Sequence, residues 1–294
     1  MHGVLIIDKP AGMTSAEVVR RVKQRLRCKT GHLGTLDPFA TGVLPLCLGE
    51  GTKIAMFLNQ ADKEYAGTIR LGSATETGDL TGKVVATAAV PQLTAAQLEA
   101  AAQRFVGESL QTPPMYSAIK QQGTPLYKLA RQGISVERQP RRIHMAALQL
   151  KDQGDGVVGF RVSCSKGTYV RVLAEDIAAA LGSVGHLETL RRLRFGRFHI
   201  AEAVTLEALD EPTARVIGLR DALGDLREIR IDALAAQRAR QGYAPVLAAL
   251  TPGARNETAK LVGPDDALSA VITADQVGRW RFARVFAADR AAPR

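Results

Sequence analysis

The sequence predicts an α+β fold, and three observations carry that expectation. Segments of helical period alternate along the chain with short apolar or alternating runs of strand type. Residues 142–150 and 157–163 read as two strands paired around Gly154-Asp155-Gly156, the turn of a hairpin. After about Leu223 the character changes, and Ala-rich helix gives way to short strands punctuated by Gly, Pro and Asp (260–262, 270–272, 281–286). That shift predicts a second, small β-rich domain. The 294 residues suffice for one large domain and a small one.

From the start of the chain, residues 3–8 read as a short strand. Thr14-Ser15-Ala16-Glu17 has the spacing of a capping box, and Val18, Val19, Val22 and Leu26 behind it mark an amphipathic helix. Residues 43–48 look like a buried strand, 52–59 like a helix, and 65–71 alternate as a strand does. A turn region rich in Gly and Thr, GSATETGDLTG, precedes an Ala-rich helix over about 94–105. Residues 111–127 carry three prolines and no clean period, which predicts a long functional loop. Residues 169–181 read as a helix with Val172, Ile177, Ala180 and Leu181 on its apolar side.

Composition narrows the function classes. Hydrophobic residues make up 46% and charged residues 23%, ordinary for a globular protein with a sizeable core. The formal net charge of +10 and a pI near 9.8 favour a polyanionic partner, either nucleic acid or an anionic membrane surface. The apolar run at the start is interrupted by Asp8 and Lys9 and is too short for a signal peptide. No stretch approaches the ~20 apolar residues of a membrane span. Cys28, Cys47 and Cys164 are odd in number and far apart, which argues against disulfides and for a reducing cytoplasm. The five histidines lack metal-ligand spacing, so no metal site is expected. Gly154-x-Gly156-x-x-Gly159 matches the dinucleotide fingerprint only in form, because a strand follows where a helix is required.

The informative segment runs from Gly31 to Pro45. It sets one His, one Asp, two Pro and three Gly between a helix and a strand. Glycines let the backbone turn sharply or approach a ligand, and Pro38 biases Asp37 towards an extended geometry that projects its carboxylate. An Asp-Pro pair also simply starts turns.

GHLGTLDP followed by ATGVLPLCLGEGTK (31–53) closely resembles the catalytic motif of the TruB-type tRNA pseudouridine synthases. The resemblance spans roughly the first 220 residues. It includes DKPAGMTS (8–15), KEYAGTIRLGSATETGDLTG (63–82), PPMYSAIKQQGTPLYKLARQG (113–133), CSKGTYVRVLAEDIAAALG (164–182) and HLETLRRLRFGRF (186–198). It implies a pseudouridine synthase fold with a mixed, largely antiparallel sheet over 1–225, with an RNA-gripping insertion at about 109–133. A small PUA-like RNA-binding domain over 228–294 follows. The implied activity is isomerisation of uridine 55 in the T-loop of tRNA, with no cofactor, no obligate protein partner and no membrane.

The same resemblance assigns roles. Asp37 is the catalytic carboxylate, nucleophile or base, and Arg171 is the cation that pairs with it and lowers its pKa. Tyr65 stacks on the extruded base, Tyr169 contacts it, Leu190 walls the uracil pocket, and His32 holds the T-loop open. Lys9, Pro10 and Gly31 support the active-site loop. Lys120, Lys128, Arg131, Arg191, Arg192 and Arg194, with Arg197, are candidate RNA contacts. Two rivals are a guide-RNA-dependent synthase acting on ribosomal RNA and an RNA-folding chaperone.

Overall fold

The computed structural model describes residues 1–210 and 215–287; the last residues of the expected small domain, 288–294, lie outside it. The chain opens with β1 (Gly3–Lys9), buried along almost its whole length. The capping box forms as expected and starts α1 (Ser15–Leu26), which buries Val18 and Val22. A short β2 (Thr30–His32) and the buried β3 (Thr41–Leu48) follow. The expected helix over 52–59 is instead a 3-10 turn, Gly49–Lys53, and then one turn of helix, α2 (Ala55–Leu58). The chain has to bend there. Gly49 sits at φ +55°, and a Cβ on Gly51 would stand 2.2 Å from the Gly3 carbonyl oxygen.

Next come β4 (Lys63–Leu71), the hairpin β5 (Ser73–Thr75) and β6 (Val84–Thr87), and α3 (Ala95–Gln103), capped by Thr94. After β7 (Gly107–Gln111) the proline-rich stretch is largely loop, as expected. It also holds the two-residue strands β8 (Lys120–Gln121) and β9 (Thr124–Pro125) and runs into α4 (Leu126–Arg131). The expected hairpin is β10 (Arg141–Asp152) and β11 (Val157–Cys164), paired antiparallel. Then come α5 (Val170–Ala180), β12 (Gly185–Phe195) and β13 (Phe198–His199).

These strands form one sheet in the order β1-β3-β12-β4-β11-β10-β7, with β2 joined to β3 and β13 to β12. Every pairing is antiparallel except β3 with β12. The mixed, largely antiparallel α+β fold is therefore present. One of its inner strands, β12, has no clean signature in sequence. Bulges between Leu187 and Thr189 and between Arg192 and Arg194 break the two-residue alternation by which strands are read.

One core lies beneath α1, α3 and α5, from Val18 and Val22 through Leu98 and Ala102 to Leu173 and Ile177. A second core gathers Val4, Val43, Phe195 and Phe198 with Leu268, Val271 and Phe286. It joins the first sheet to a four-stranded sheet: β14 (Arg227–Arg230), β15 (Thr258–Val262), β16 (Leu268–Ala274) and β17 (Trp280–Val285). Three short helices accompany this part, α6 (Leu219–Ala222), α7 (Ala233–Arg240) and α8 (Pro245–Ala248). Lys53 Nζ donates to the Val285 carbonyl at 3.1 Å across the joint.

The parallel junction of β3 and β12 rests on two registered pairs, Thr41 with Arg191 and Gly42 with Arg192. Gly42 has φ +100°, and a Cβ there would stand 2.2 Å from the Arg192 carbonyl oxygen. Gly42→Ala combines an unfavourable backbone angle with a backbone clash. It should destabilise the fold by about 3 kcal/mol or more. Chemical denaturation checks this; a midpoint equal to the parent's would show that the junction yields freely.

Candidate active site

The loop between β2 and β3 carries Asp37, and it is pinned from several sides. Leu33, Leu36 and Ala40 are buried and anchor it in the core. Ser15, the first residue of α1, takes both backbone groups of Leu36: its Oγ donates to the carbonyl at 3.1 Å and accepts from the N–H at 2.9 Å. Gly34 turns at φ +58°, with the Phe195 ring where a Cβ would go. Lys9, wholly buried, donates to the carbonyls of Pro10 (2.8 Å), Met13 (2.6 Å) and Pro38 (3.1 Å). Burial holds its ammonium down at about 8. These contacts leave the Asp37 carboxylate projecting into a cleft of about 650 Å3, lined among others by Tyr65, Asp79, Tyr169, Arg171 and Leu190.

Arg171 enters from the first turn of α5. The preceding Tyr169 is locked by Gln111, whose amide accepts from the Tyr169 N–H at 2.7 Å and donates to its carbonyl at 3.1 Å. The Arg171 side chain is only 7% exposed and every face of its fork is used. Nε donates to Asp37 Oδ2 at 3.0 Å and Nη2 to Oδ1 at 3.5 Å. Nη1 donates to the Thr77 carbonyl at 2.9 Å and Nη2 to the Tyr116 carbonyl at 2.6 Å. Among the described residues Arg171 makes no ion pair with Glu175, one turn on in α5; its carboxylate partners are Asp37 and Asp79. Sequence reasoning missed Asp79, a second carboxylate 3.8 Å from Arg171 Nε. Asp79 Oδ1 accepts from Thr77 Oγ1 and from the backbone and side chain of Thr81, so in sequence it resembles an ordinary turn aspartate.

The expected lowering of the Asp37 pKa by Arg171 does not win. Its side chain is 36% exposed, at the open side of the cleft, and walled in elsewhere. Burial pushes the carboxyl above the usual carboxylate range; Arg171 opposes this and the nearby Asp79 adds to it. Tyr65, on β4, is buried beside Arg192, its register partner on β12, and burial raises its phenol against the pull of that guanidinium. Leu190 lies opposite Gly67 and faces the same cleft.

The remaining residues singled out from sequence divide into groups. Lys9 and Pro10 lie at the back of the loop rather than in the cleft. Gly31 and His32 pair with β3 outside it, and burial lowers the His32 pKa. Arg131 reaches the cleft wall and lies over the Tyr127 ring, whereas Lys120 and Lys128 stand away from the cleft. Arg191 is paired with Asp8 at 2.7 Å and Arg194 with Glu64 at 3.5 Å. Arg197 is held by the Asp221 carbonyl. Arg192 corrects the surface reading of this cluster. It is 1% exposed, and its fork donates to the carbonyls of Val43 (2.6 Å) and Gly34 (2.8 Å), so it belongs to the cleft floor and is closed to RNA phosphates at the surface.

A larger and more apolar depression of about 1300 Å3 adjoins the cleft and shares Pro38, Phe39 and Leu190 with it. Asp37, Asp79 and Arg171 converge on the smaller one. Among the described residues, no group of three or more His, Cys, Asp or Glu is placed to hold a metal ion. No described helix is long and apolar enough to cross a membrane. The cleft thus offers an oriented carboxylate, a guanidinium clamp and an aromatic ring, a set suited to nucleophilic or proton-transfer work on a planar group.

Two family models match the chain, the N-terminal domain of the TruB family pseudouridylate synthases over residues 20–170 and the C-terminal domain of tRNA pseudouridylate synthase B over residues 171–226. The chain is 44% identical to tRNA pseudouridine synthase B of Ralstonia pickettii over 288 residues, covering 95% of this chain and 90% of that protein. Identity to the Psychrobacter cryohalolentis protein of the same name is 51% over 216 residues, 71% of this chain and 60% of the relative, so the match spans about three fifths of that protein's length. Among solved structures, a Cbf5-Nop10-Gar1 complex matches at TM-score 0.68 and 25% identity, covering 94% of this chain and 79% of that one. An H/ACA RNP bound to a substrate RNA containing 2'-deoxyuridine matches in fold at TM-score 0.74 and 23% identity, covering 99% and 87%.

Proposed function

This chain belongs to the TruB family of pseudouridylate synthases, and from that premise we propose that it isomerises uridine 55 to pseudouridine in the T-loop of tRNA, with Asp37 as the catalytic carboxylate. The observation that carries the reading is the Arg171 fork on Asp37 inside the cleft, between residues 134 positions apart in sequence. The reaction breaks the bond from C1' to N1 of uracil, turns the base and joins C1' to C5. The C5 proton leaves and N1 regains one, so product and substrate have the same atoms. Asp37 acts as nucleophile or base in the glycosidic step, and the Arg171 fork holds its oxygens in place.

The uridine has to leave the RNA stack to reach this carboxylate, which costs a few kcal/mol. Stacking on the Tyr65 ring returns about 1–3 kcal/mol, and Leu190 and Tyr169 bound the rest of the pocket. The sheet over Arg227–Val285 is read as a PUA-like accessory RNA surface with no catalytic residue, and the cytoplasm is the compartment where the substrate is met.

The test is incubation of the purified chain alone with an unmodified T-arm transcript, followed by nucleotide-resolution mapping of pseudouridine. Modification at the T-loop uridine is the expected result. Activity that appears only with added guide RNA and partner proteins would favour a guide-dependent enzyme. Tight binding with no isomerisation would leave the chaperone reading.

A further inference from the structure

One helix carries a dense group of exposed positive charges. On the second sheet and its helices several arginines are matched by carboxylates: Arg220 by Glu228, Arg227 by Glu257, Arg230 by Asp266 and Arg240 by Asp265. On α1 and the turn after it, Arg20, Arg21, Lys23, Arg27 and Lys29 are all exposed. None of the five is within ion-pair distance of a carboxylate among the described residues. The one acid in the helix, Glu17, is committed to the capping box, where it accepts from the backbone and hydroxyl of Thr14.

This arrangement serves the helix itself only in part. Arg20 and Lys23 are three apart, Arg21 and Arg25 four apart, and Lys23 and Arg27 four apart, spacings at which like charges repel. The helix dipole favours cations in the last turn, where Lys23 and Arg25 stand, and Glu17 attracts Arg20 and Arg21 one turn on, but one acid does not balance the row. Val18 and Val22 anchor the opposite side in the core, so the cations, from Arg20 to the end of the helix, face solvent along about 10 Å of it. A row of cations that outnumbers its one nearby acid, Glu17, is matched by a polyanion.

Its position selects the occupant. Ser15 ties the start of α1 to Leu36 in the catalytic loop, and β2 leads from the end of α1 into the same loop. Yet none of the five cations lines the cleft. An RNA whose target base is in the cleft would meet α1 with a part that extends beyond the pocket. Resting on the tRNA reading above, we propose that the solvent face of α1 grips the phosphate backbone of the tRNA body outside the T-arm.

The test compares the parent with the triple variant Arg20→Gln, Arg21→Gln, Lys23→Gln, using a full-length unmodified tRNA transcript and an isolated T-arm hairpin. Gln is a good helix former, and removing repulsion should leave the melting temperature equal or higher. Affinity for the full-length tRNA should fall about tenfold or more near physiological salt, with the log–log salt slope shallower by about two. Affinity for the hairpin should be unchanged. An unchanged tRNA affinity and slope overturns the proposal, as does an equal loss for both RNAs. Loss of binding to phosphatidylglycerol vesicles with tRNA affinity intact would place a membrane on this face instead. If the parent binds neither RNA, the tRNA reading itself fails and this inference with it.

Discussion

Asp37→Asn should abolish isomerisation while leaving tRNA affinity and the fold intact. The amide keeps the shape of the side chain and can still accept from Arg171 but supplies neither a nucleophilic oxygen nor a base. Loss of a group that acts only in the transition state lowers turnover by several orders of magnitude with little change in substrate binding. Stability should move in the opposite direction. Because the folded-state carboxyl is raised by burial, the fold binds its proton more tightly than the unfolded chain does. Its favourable contribution is complete below the unfolded value of about 3.9 and is lost as pH rises through the folded value. At neutral pH the variant should therefore melt no lower than the parent, with any advantage vanishing in acid. In the parent, turnover should rise with pH along an acid limb displaced above the ordinary carboxyl range. Single-turnover pseudouridine mapping across pH and melting curves for both proteins check this. Residual turnover near the parent's would remove Asp37 from the chemistry.

Arg171→Ala should damage both rate and stability. Breaking a fully buried pair costs about 3–5 kcal/mol. Here the Asp37 side chain is 36% exposed and can take up a proton, so about 2–4 kcal/mol is expected. Part of that loss belongs to the Thr77 and Tyr116 carbonyls, each left without its donor. Arg171→Lys should recover little, since one ammonium cannot reach two carboxylate oxygens and two carbonyls in a planar fork. Urea denaturation and single-turnover rates measure the two losses. A melting temperature unchanged in the alanine variant would mean that these four contacts are not made in solution.

Much of the site was legible before any coordinates. Asp37, Arg171, Tyr65, Tyr169 and Leu190 were marked by motifs, and the structure brings all five to one cleft. Lys9 stood out in the same way and is found bonded to the Pro38 carbonyl of the Asp37 loop. The misreadings have physical causes. Arg192 looked like its neighbours Arg191 and Arg194, but strand alternation sends adjacent side chains to opposite faces, and a bulge beside it decides which face. Asp79 was hidden because its local bonds to Thr77 and Thr81 are those of any turn. The helix expected over 52–59 broke because Gly51 must pass the backbone of Gly3, a neighbour that local sequence does not announce.

By itself the sequence determined the chemical inventory: which carboxylate, cation and aromatics are available, the balance of +10, the capped helices and the α+β alternation. Those properties depend on residue type and short spacing, which a linear string carries in full. The resemblance implied that Asp37 meets Arg171 across 134 positions; only the tertiary structure decided the geometry of that pair, that Asp79 stands beside it, and that Arg192 is sealed in the floor while the cations of α1 stay in water. Such contacts follow from strand order and register, and register is set by bulges and glycine close approaches whose partners lie far away along the chain.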